Sequence, residues 1–531
     1  MKFSLLFSFL TFYSIFVIAQ SPAISWQKTL GGIGVDDAHT IVEKPDNSGY
    51  FIIGSSSSPA GFELTQGTHG IVDVWVICLN NSNQIEWEMV YGGTESDGLV
   101  TKAIIHNDKL FVATSSNSGI SGNKTIASFG SADIWLLCLD LEGNIEWQQT
   151  YGGTEGEAAE IVAVHNDELY ILGHSTSGIS GNKTTPNIGE RDFWLLKVDP
   201  SNGEKLDERT LGSVLTDTPY EMTFDEEGNV YLLGSSVTGV SGDKTVEGFG
   251  GSDLWLVKLN SNLEIIDQAC FGTSVDEGTS GMIWHENRLY IASSASLGNN
   301  GSVSQTVLGT RDAWAFCLTE DLEIVWSNLY GGSAHDLTTK ITIWDGKLAL
   351  LGISTSTPSS IKQSPYYGGS GDYWLLFLDK QTGGFLHEES YGGSAMEIAT
   401  AITSLSNNNL LVAGISDSGI SGLKTEAYRG GTADIWALEL NMSALVSLND
   451  IAQTELLVYP NPSSDVVYFQ VPQEYPIGRI EIYSTDGKLI NSVFVDGANF
   501  RVDLSAVEGN QVLFYRYIHE NGVISGKISK I

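Results

Sequence analysis

DIWLLCLDLEGNIEWQQTYGG, residues 133–153, opens on Asp-x-Trp, passes a polar turn, shows a second Trp and closes on Tyr-Gly-Gly. Close variants stand at DVWVICLNNSNQIEWEMVYGG (73–93) and DAWAFCLTEDLEIVWSNLYGG (312–332). Working outward from these three, the Asp-x-Trp pair recurs as Asp73 and Trp75, Asp133 and Trp135, Asp192 and Trp194, Asp253 and Trp255, Asp312 and Trp314, Asp372 and Trp374, and Asp434 and Trp436. The Gly-Gly phrase keeps step with it: LGG (30–32), YGG (91–93, 151–153), the weaker LGS (211–213) and FGT (271–273), then YGG (330–332, 391–393). A period this regular is a repeat architecture.

Within one period four short strands can be read, for example EIVAVHN (160–166), LYILGHS (169–175), DFWLLKVD (192–199) and KLDERTL (205–211). They are β-branched or aromatic and bounded by turn residues. Third strands such as IWLLCL are apolar on both faces, as a sheet sandwiched between two neighbours requires. Four-stranded sheets repeated radially make a β-propeller, and seven copies make seven blades. The fold class is therefore all-β, with the propeller spanning residues 20–441. The ends support closure. ISWQKTL (24–30) is a lone fourth strand, and the copy ending in DIWALEL (434–440) lacks one. The leading strand can complete the last blade and remove the exposed edges.

The repeated Trp residues thus read as scaffold. Burying one removes roughly 200 Å² from water, gross about 5 kcal/mol at about 25 cal/mol/Å². The four cysteines include Cys78, Cys138 and Cys317 at one repeat position in different copies, which points to free thiols.

The formal charge of −37 argues against nucleic acid and anionic membranes as partners. MKFSLLFSFLTFYSIFVIAQ has Lys2, an apolar run and Ala19, which reads as a signal peptide over residues 1–19. No later stretch is apolar enough to span a bilayer.

Two repeat features meet on the face carrying the long second-to-third loops. One is an acid four residues after the second position of the Gly-Gly pair: Asp36, Asp97, Glu157, Asp217, Glu277, Asp336 and Glu397. The other is the Asp opening each third strand. Two carboxylate rings at a channel mouth would suit a hard cation such as calcium. Otherwise each acid accepts hydrogen bonds from its Gly-rich turn. At a separation of about 9 Å in water, two carboxylates repel by only about 0.5 kcal/mol, so a metal is not required. No cofactor is otherwise implied. For recognition, the loop residues that the repeat does not dictate stand out: Tyr366, Tyr367, Tyr428, Arg429 and Arg191. No G-x-S-x-G or H-E-x-x-H occurs. Asn123 and Asn182 open Asn-x-Thr sequons.

After Leu440 the period is lost, and 442–453 reads as a linker. Residues 454–531 alternate as strands, with YPNP (459–462), IYSTDGK (482–488), VDLSAVEG (502–509) and a terminal Lys-containing strand. They read as a small antiparallel sandwich. This segment resembles the C-terminal sorting domain of the type IX secretion system of Bacteroidota. The resemblance implies Sec export, passage through the outer membrane by the type IX machinery, and a cargo released or held at the cell surface. The 60-residue units resemble the propeller repeats common in such cargo, a likeness that implies a fold and no activity. The combined expectation is a monomeric, non-enzymatic surface or secreted propeller that binds a glycan or protein. The alternatives are a carbohydrate-active lyase or glycosidase using mouth carboxylates, and a structural adhesin.

Overall fold

The computed structural model describes residues 21–278, 281–296, 298–445, 456–459, 466–470, 477–484, 488–496, 499–505, 507, 509, 511–519 and 522–530. The signal-peptide segment and residues 446–453 of the linker lie outside them. Two compact units result, Ser21–Ser443 and a C-terminal unit covering Ala444–Ile531.

The larger unit is seven four-stranded antiparallel sheets, the blades of a β-propeller. Blade 1 runs from the strand Asp36–Glu43 to Ile85–Tyr91, blade 2 from Asp97–His106 to Ile145–Tyr151, and blade 3 from Glu157–His165 to Lys205–Leu211. Blade 4 runs from Asp217–Phe224 to Ile265–Phe271, blade 5 from Gly281–His285 to Ile324–Tyr330, and blade 6 from Asp336–Trp344 to Phe385–Tyr391. Blade 7 has three consecutive strands, Glu397–Ser404, Leu410–Ser416 and Asp434–Asn441, and takes its fourth from the chain start, Ala23–Leu30. The seam pairs Ala23 with Asn441 and Leu30 with Ile435. Each innermost strand lies against that of the next blade, and Glu397–Ser404 closes the ring against Asp36–Glu43.

The repeat phrase explains this geometry. The seven Trp of Asp-x-Trp are all 0–1% exposed. Each satisfies its indole N–H on a fourth-strand residue: Glu88, Gln148, Glu208, Gln268, Ser327 and Glu388 in turn, and Gln27 for Trp436. A buried Trp needs such a partner, and Gln27 supplies it from the far end of the chain. The Tyr of Tyr-Gly-Gly fastens one blade to the next. Tyr151 donates to Gly203 O at 2.7 Å, and Tyr391 donates across the seam to Pro22 O at 3.0 Å. The cysteines are free thiols, with Cys78, Cys138 and Cys317 buried. Burial pushes these thiols up, Cys78 and Cys317 to about 11 and Cys138 to about 12, so they stay protonated and inert.

The smaller unit holds a three-stranded and a four-stranded antiparallel sheet. Val467, Phe469 and Val502 of the first share one apolar core with Ile480, Ile482, Leu513, Tyr515 and Ile528 of the second.

Candidate functional site

The two acid rings are brought much closer than the sequence reading assumed, and they pair. At each junction the Asp opening a third strand faces the acid that begins the next blade, across the first Gly of the Gly-Gly phrase. A Cβ on Gly272 would lie 2.0 Å from Asp253 Oδ1 and 2.5 Å from Glu277 Oε2. On Gly152 it would lie 1.7 Å from Asp133 Oδ1 and 2.8 Å from Glu157 Oε2. Only glycine leaves room for the carboxyl groups there, and all seven copies keep it. The second Gly packs on a serine: a Cβ on Gly93 would lie 2.5 Å from Ser118 Cβ. Where that Gly becomes Ser213, the serine position holds Thr238.

Both rings are closed to solvent. Asp36, Asp97, Asp217, Asp336 and Glu397 are 0% exposed, Glu157 1% and Glu277 6%. They accept from the Gly-Gly turn and from the end of the second strand. Asp97 takes Gly93 N–H and Ser118 Oγ–H, both at 2.6 Å, and Glu397 takes Gly393 N–H at 2.8 Å and Ser416 Oγ–H at 2.6 Å. The partner Asp holds the end of the long loop: Asp133 accepts from Phe129 N–H at 2.6 Å, and Asp372 from Tyr367 N–H at 2.7 Å. The other oxygen of Asp73, Asp133, Asp253, Asp312, Asp372 and Asp434 has no hydrogen-bond partner among the described residues. Burial, with the facing carboxylate adding to it, pushes Asp73, Asp192 and Asp312 up to about 6 and Asp372, Asp434 and Glu277 up to about 7. Once one member of such a pair carries a proton it can bond to the other. Among the described residues, no three His, Cys, Asp or Glu side chains gather in a way that could hold a metal ion.

The recognition candidates separate. Tyr366 donates its hydroxyl to Gly369 O at 2.6 Å. Tyr367 is half-buried, with its backbone tied to Asp372. Arg429 is drawn into the seam, reaching Thr29 O at 3.2 Å and Glu63 at 3.0 Å, and lies over the Phe62 ring. Arg191 sits in a backbone bridge to Thr216 of the next blade. Tyr428 is exposed at 39%. The sequon side chains are engaged: Asn123 accepts from Gly92 N–H at 2.8 Å and Asn182 from Gly152 N–H at 2.9 Å.

Two features of this face escaped the sequence reading. One is a set of buried lysines, Lys124, Lys183, Lys244, Lys362 and Lys424, each 0–1% exposed. Lys124, Lys183 and Lys424 lie 5.5–5.8 Å from the repeat Trp rings. In the other two blades the position is Leu64 and Val303, which was the available signal that it faces inward. The other feature is apolar and outward. Ile120, Ile179, Val240 and Ile420 share one loop position and are 69%, 67%, 55% and 72% exposed. Phe129, Ile188, Phe249 and Leu308 share another and are also exposed.

Residues 457–517 match the secretion system C-terminal sorting domain. That domain marks the chain for type IX secretion to the cell surface or beyond. No helix among the described residues is long and apolar enough to cross a membrane. No curated protein matches the chain. Among solved structures, the Pan2 WD40 domain of Neurospora crassa is similar at 9% identity and a TM-score of 0.42, over 78% of this chain and 95% of that one. Trypanosoma rangeli sialidase is similar at 8% identity and a TM-score of 0.36, over 84% and 86%.

Proposed function

We propose that this exported propeller is a binding protein whose long-loop face docks a protein partner. The observation that carries the reading is the repeated set of exposed aliphatic and aromatic side chains on that face, with Ile120, Ile179, Val240 and Ile420 as its most exposed members. Apolar groups repeated on one surface and rimmed by polar loops are what a protein interface core uses. Protein is favoured over glycan because the most exposed members of the set are aliphatic, whereas sugar stacking uses flat aromatic platforms and the seven repeat Trp are buried. Of the candidates from sequence, Tyr428 is open enough to add to such a surface, while Arg429 and Arg191 shape the loops beneath it. A catalytic role for the acid rings is disfavoured by their closure, since a polymer cannot reach a carboxylate that solvent does not.

The test is the quadruple variant I120S/I179S/V240S/I420S, compared with the parent in cross-linking at the surface of the exporting cell and on a glycan array. Loss of the cross-linked protein adducts with an unchanged melting temperature is expected. Adducts that persist unchanged, or glycan binding that the variant retains, would overturn the reading.

A further inference from the structure

The face opposite the long loops carries a cavity of about 190 Å³ where blade 7 meets blade 1. Its walls come from the first-to-second and third-to-fourth turns of blade 1, and from the first-to-second turn and third strand of blade 7. Elsewhere the repeat fills this place with aromatic rings. Between blades 3 and 4, Phe224 packs edge-on against Tyr170 with ring centroids 4.9 Å apart, and between blades 4 and 5, Trp284 stacks on Tyr231 at 5.2 Å. The matching positions here are Glu43 and Leu411, which carry no ring.

Four residues around the cavity depart from the repeat. Glu43 stands where blades 2 to 6 have Ile105, Val164, Phe224, Trp284 and Ile343. Tyr50, opposite it on the next strand, stands where the other blades have leucine or valine. Asn83, with a φ of 59°, takes the turn position of Gly143, Leu263 and Leu322. Glu439 takes the position of Lys197 and Lys258, which pair with Glu168 at 2.7 Å and Asp225 at 3.8 Å in their own blades. The Tyr50 hydroxyl donates to Asn83 Oδ1 at 2.7 Å, and Asn83 Nδ2 donates to Glu439 Oε2 at 2.8 Å. Asn409 Nδ2 donates to Glu439 Oε1 at 2.7 Å. Ser406 donates its N–H to both oxygens of Glu43 at 3.0 Å and its Oγ–H to Oε1 at 2.8 Å. These donors are spent within the walls, and what remains is lone pairs on two carboxylates. Among the described residues neither Glu43 nor Glu439 forms an ion pair, and Lys44 beside Glu43 is committed to Glu86 at 2.6 Å. Leu405 and the Tyr50 ring, 8% and 3% exposed, supply an apolar floor.

We infer that this cavity binds a primary ammonium group on a short alkyl stem. An ammonium has three donors and no acceptor, the complement of a site left with lone pairs. Each bond it makes to Glu43 or Glu439 is charge-assisted. A guanidinium fits less well, because every oxygen of the two carboxylates already accepts a bond and no free pair is left for its rigid fork. The volume is about six times the ~30 Å³ share of one water, enough for an aminoalkyl chain lying on Leu405 and Tyr50. A lysine of a protein partner and a free amine present this same chemistry.

Calorimetric titration of the full chain with n-butylamine, Nα-acetyl-lysine amide, glucose and calcium chloride, at neutral pH and fixed ionic strength, tests this. Saturable binding of both amines is expected, with none for glucose or calcium. Tighter binding of the lysine derivative identifies a partner's lysine as the occupant, and tighter binding of butylamine identifies a free amine. E43Q and E439Q each weaken amine binding about tenfold, as loss of one charge-assisted bond requires. E43I installs the residue type that blade 2 has at this position and abolishes binding with an unchanged melting temperature. An E439Q chain that fails to fold is replaced by E43Q and E43I, which carry the same test. Absence of saturable binding for both amines overturns the proposal, as does unchanged affinity in E43Q and E43I. Calcium or glucose binding that E43Q removes gives the cavity to another ligand and overturns the ammonium assignment.

Discussion

Asp434 gives the sharpest prediction about the carboxyl pairs. It is 0% exposed, its Oδ2 accepts from the N–H of Arg429, and its Oδ1 has no hydrogen-bond partner among the described residues. Across Gly31 lies Asp36, since a Cβ on that glycine would fall 2.5 Å from Asp434 Oδ1 and 2.8 Å from Asp36 Oδ2. Burial pushes the carboxyl of Asp434 from 3.8 up to about 7. A raised acid means that the folded chain holds the proton more tightly than the unfolded one. The corresponding stability is complete below about pH 4 and is lost as the pH rises through about 7. Three units correspond to about 4 kcal/mol at about 1.4 kcal/mol per unit. Relaxation around the ionised group reduces this to on the order of 1–2 kcal/mol. Asp434→Asn cannot lose the proton and keeps an oxygen for Arg429 N–H. It should be more stable than the parent by on the order of 1–2 kcal/mol at pH 8.5, read as a melting temperature a few degrees higher. At pH 5 it should be no more stable than the parent. Calorimetric melts of both chains from pH 5 to 8.5 at low salt decide the matter. A gap between the two chains that is the same at both ends of that range would refute the shared-proton account.

Other consequences can be measured directly. Trp135→Ala removes a fully buried indole and should cost about 3–5 kcal/mol in denaturant unfolding. Gly92→Ala places a Cβ 2.0 Å from Asp73 Oδ1 and should cost about 1–3 kcal/mol, whereas Gly119→Ala meets nothing within 4 Å and should be neutral. Lys424, 1% exposed and with no hydrogen bond to its amine among the described residues, has its amine pushed down to about 8 by burial. Lys424→Leu should be neutral or stabilising in thermal melts, because Leu64 fills that position in blade 1. Deleting residues 21–30 strips blade 7 of its fourth strand, and size-exclusion chromatography should show self-association through the exposed edge.

The blades, their number and the seam were legible because they rest on a period, and Asp-x-Trp with Gly-Gly repeats that period in every copy. Position within a blade was less legible. The acids of the two rings read as a channel mouth because chain order does not reveal that a glycine lets Asp133 and Glu157 approach each other. Lys124 and its equivalents escaped the sequence reading, since a lysine's charge argues for exposure while its long apolar stem allows burial. Arg429 was chosen for its residue type, and its neighbours across the seam, Thr29 and Glu63, lie hundreds of residues away.

The strand Asp434–Asn441, from which the sorting segment continues, is not at the rim of its sheet: Leu410–Ser416 lies on one side and Ala23–Leu30 on the other. A pull on the tail, as a tether or a translocating machine would exert, must rupture two hydrogen-bonded ladders at once to extract it. A rim strand would peel from one ladder alone. The borrowed strand therefore acts as a mechanical clasp, placed where load enters the propeller.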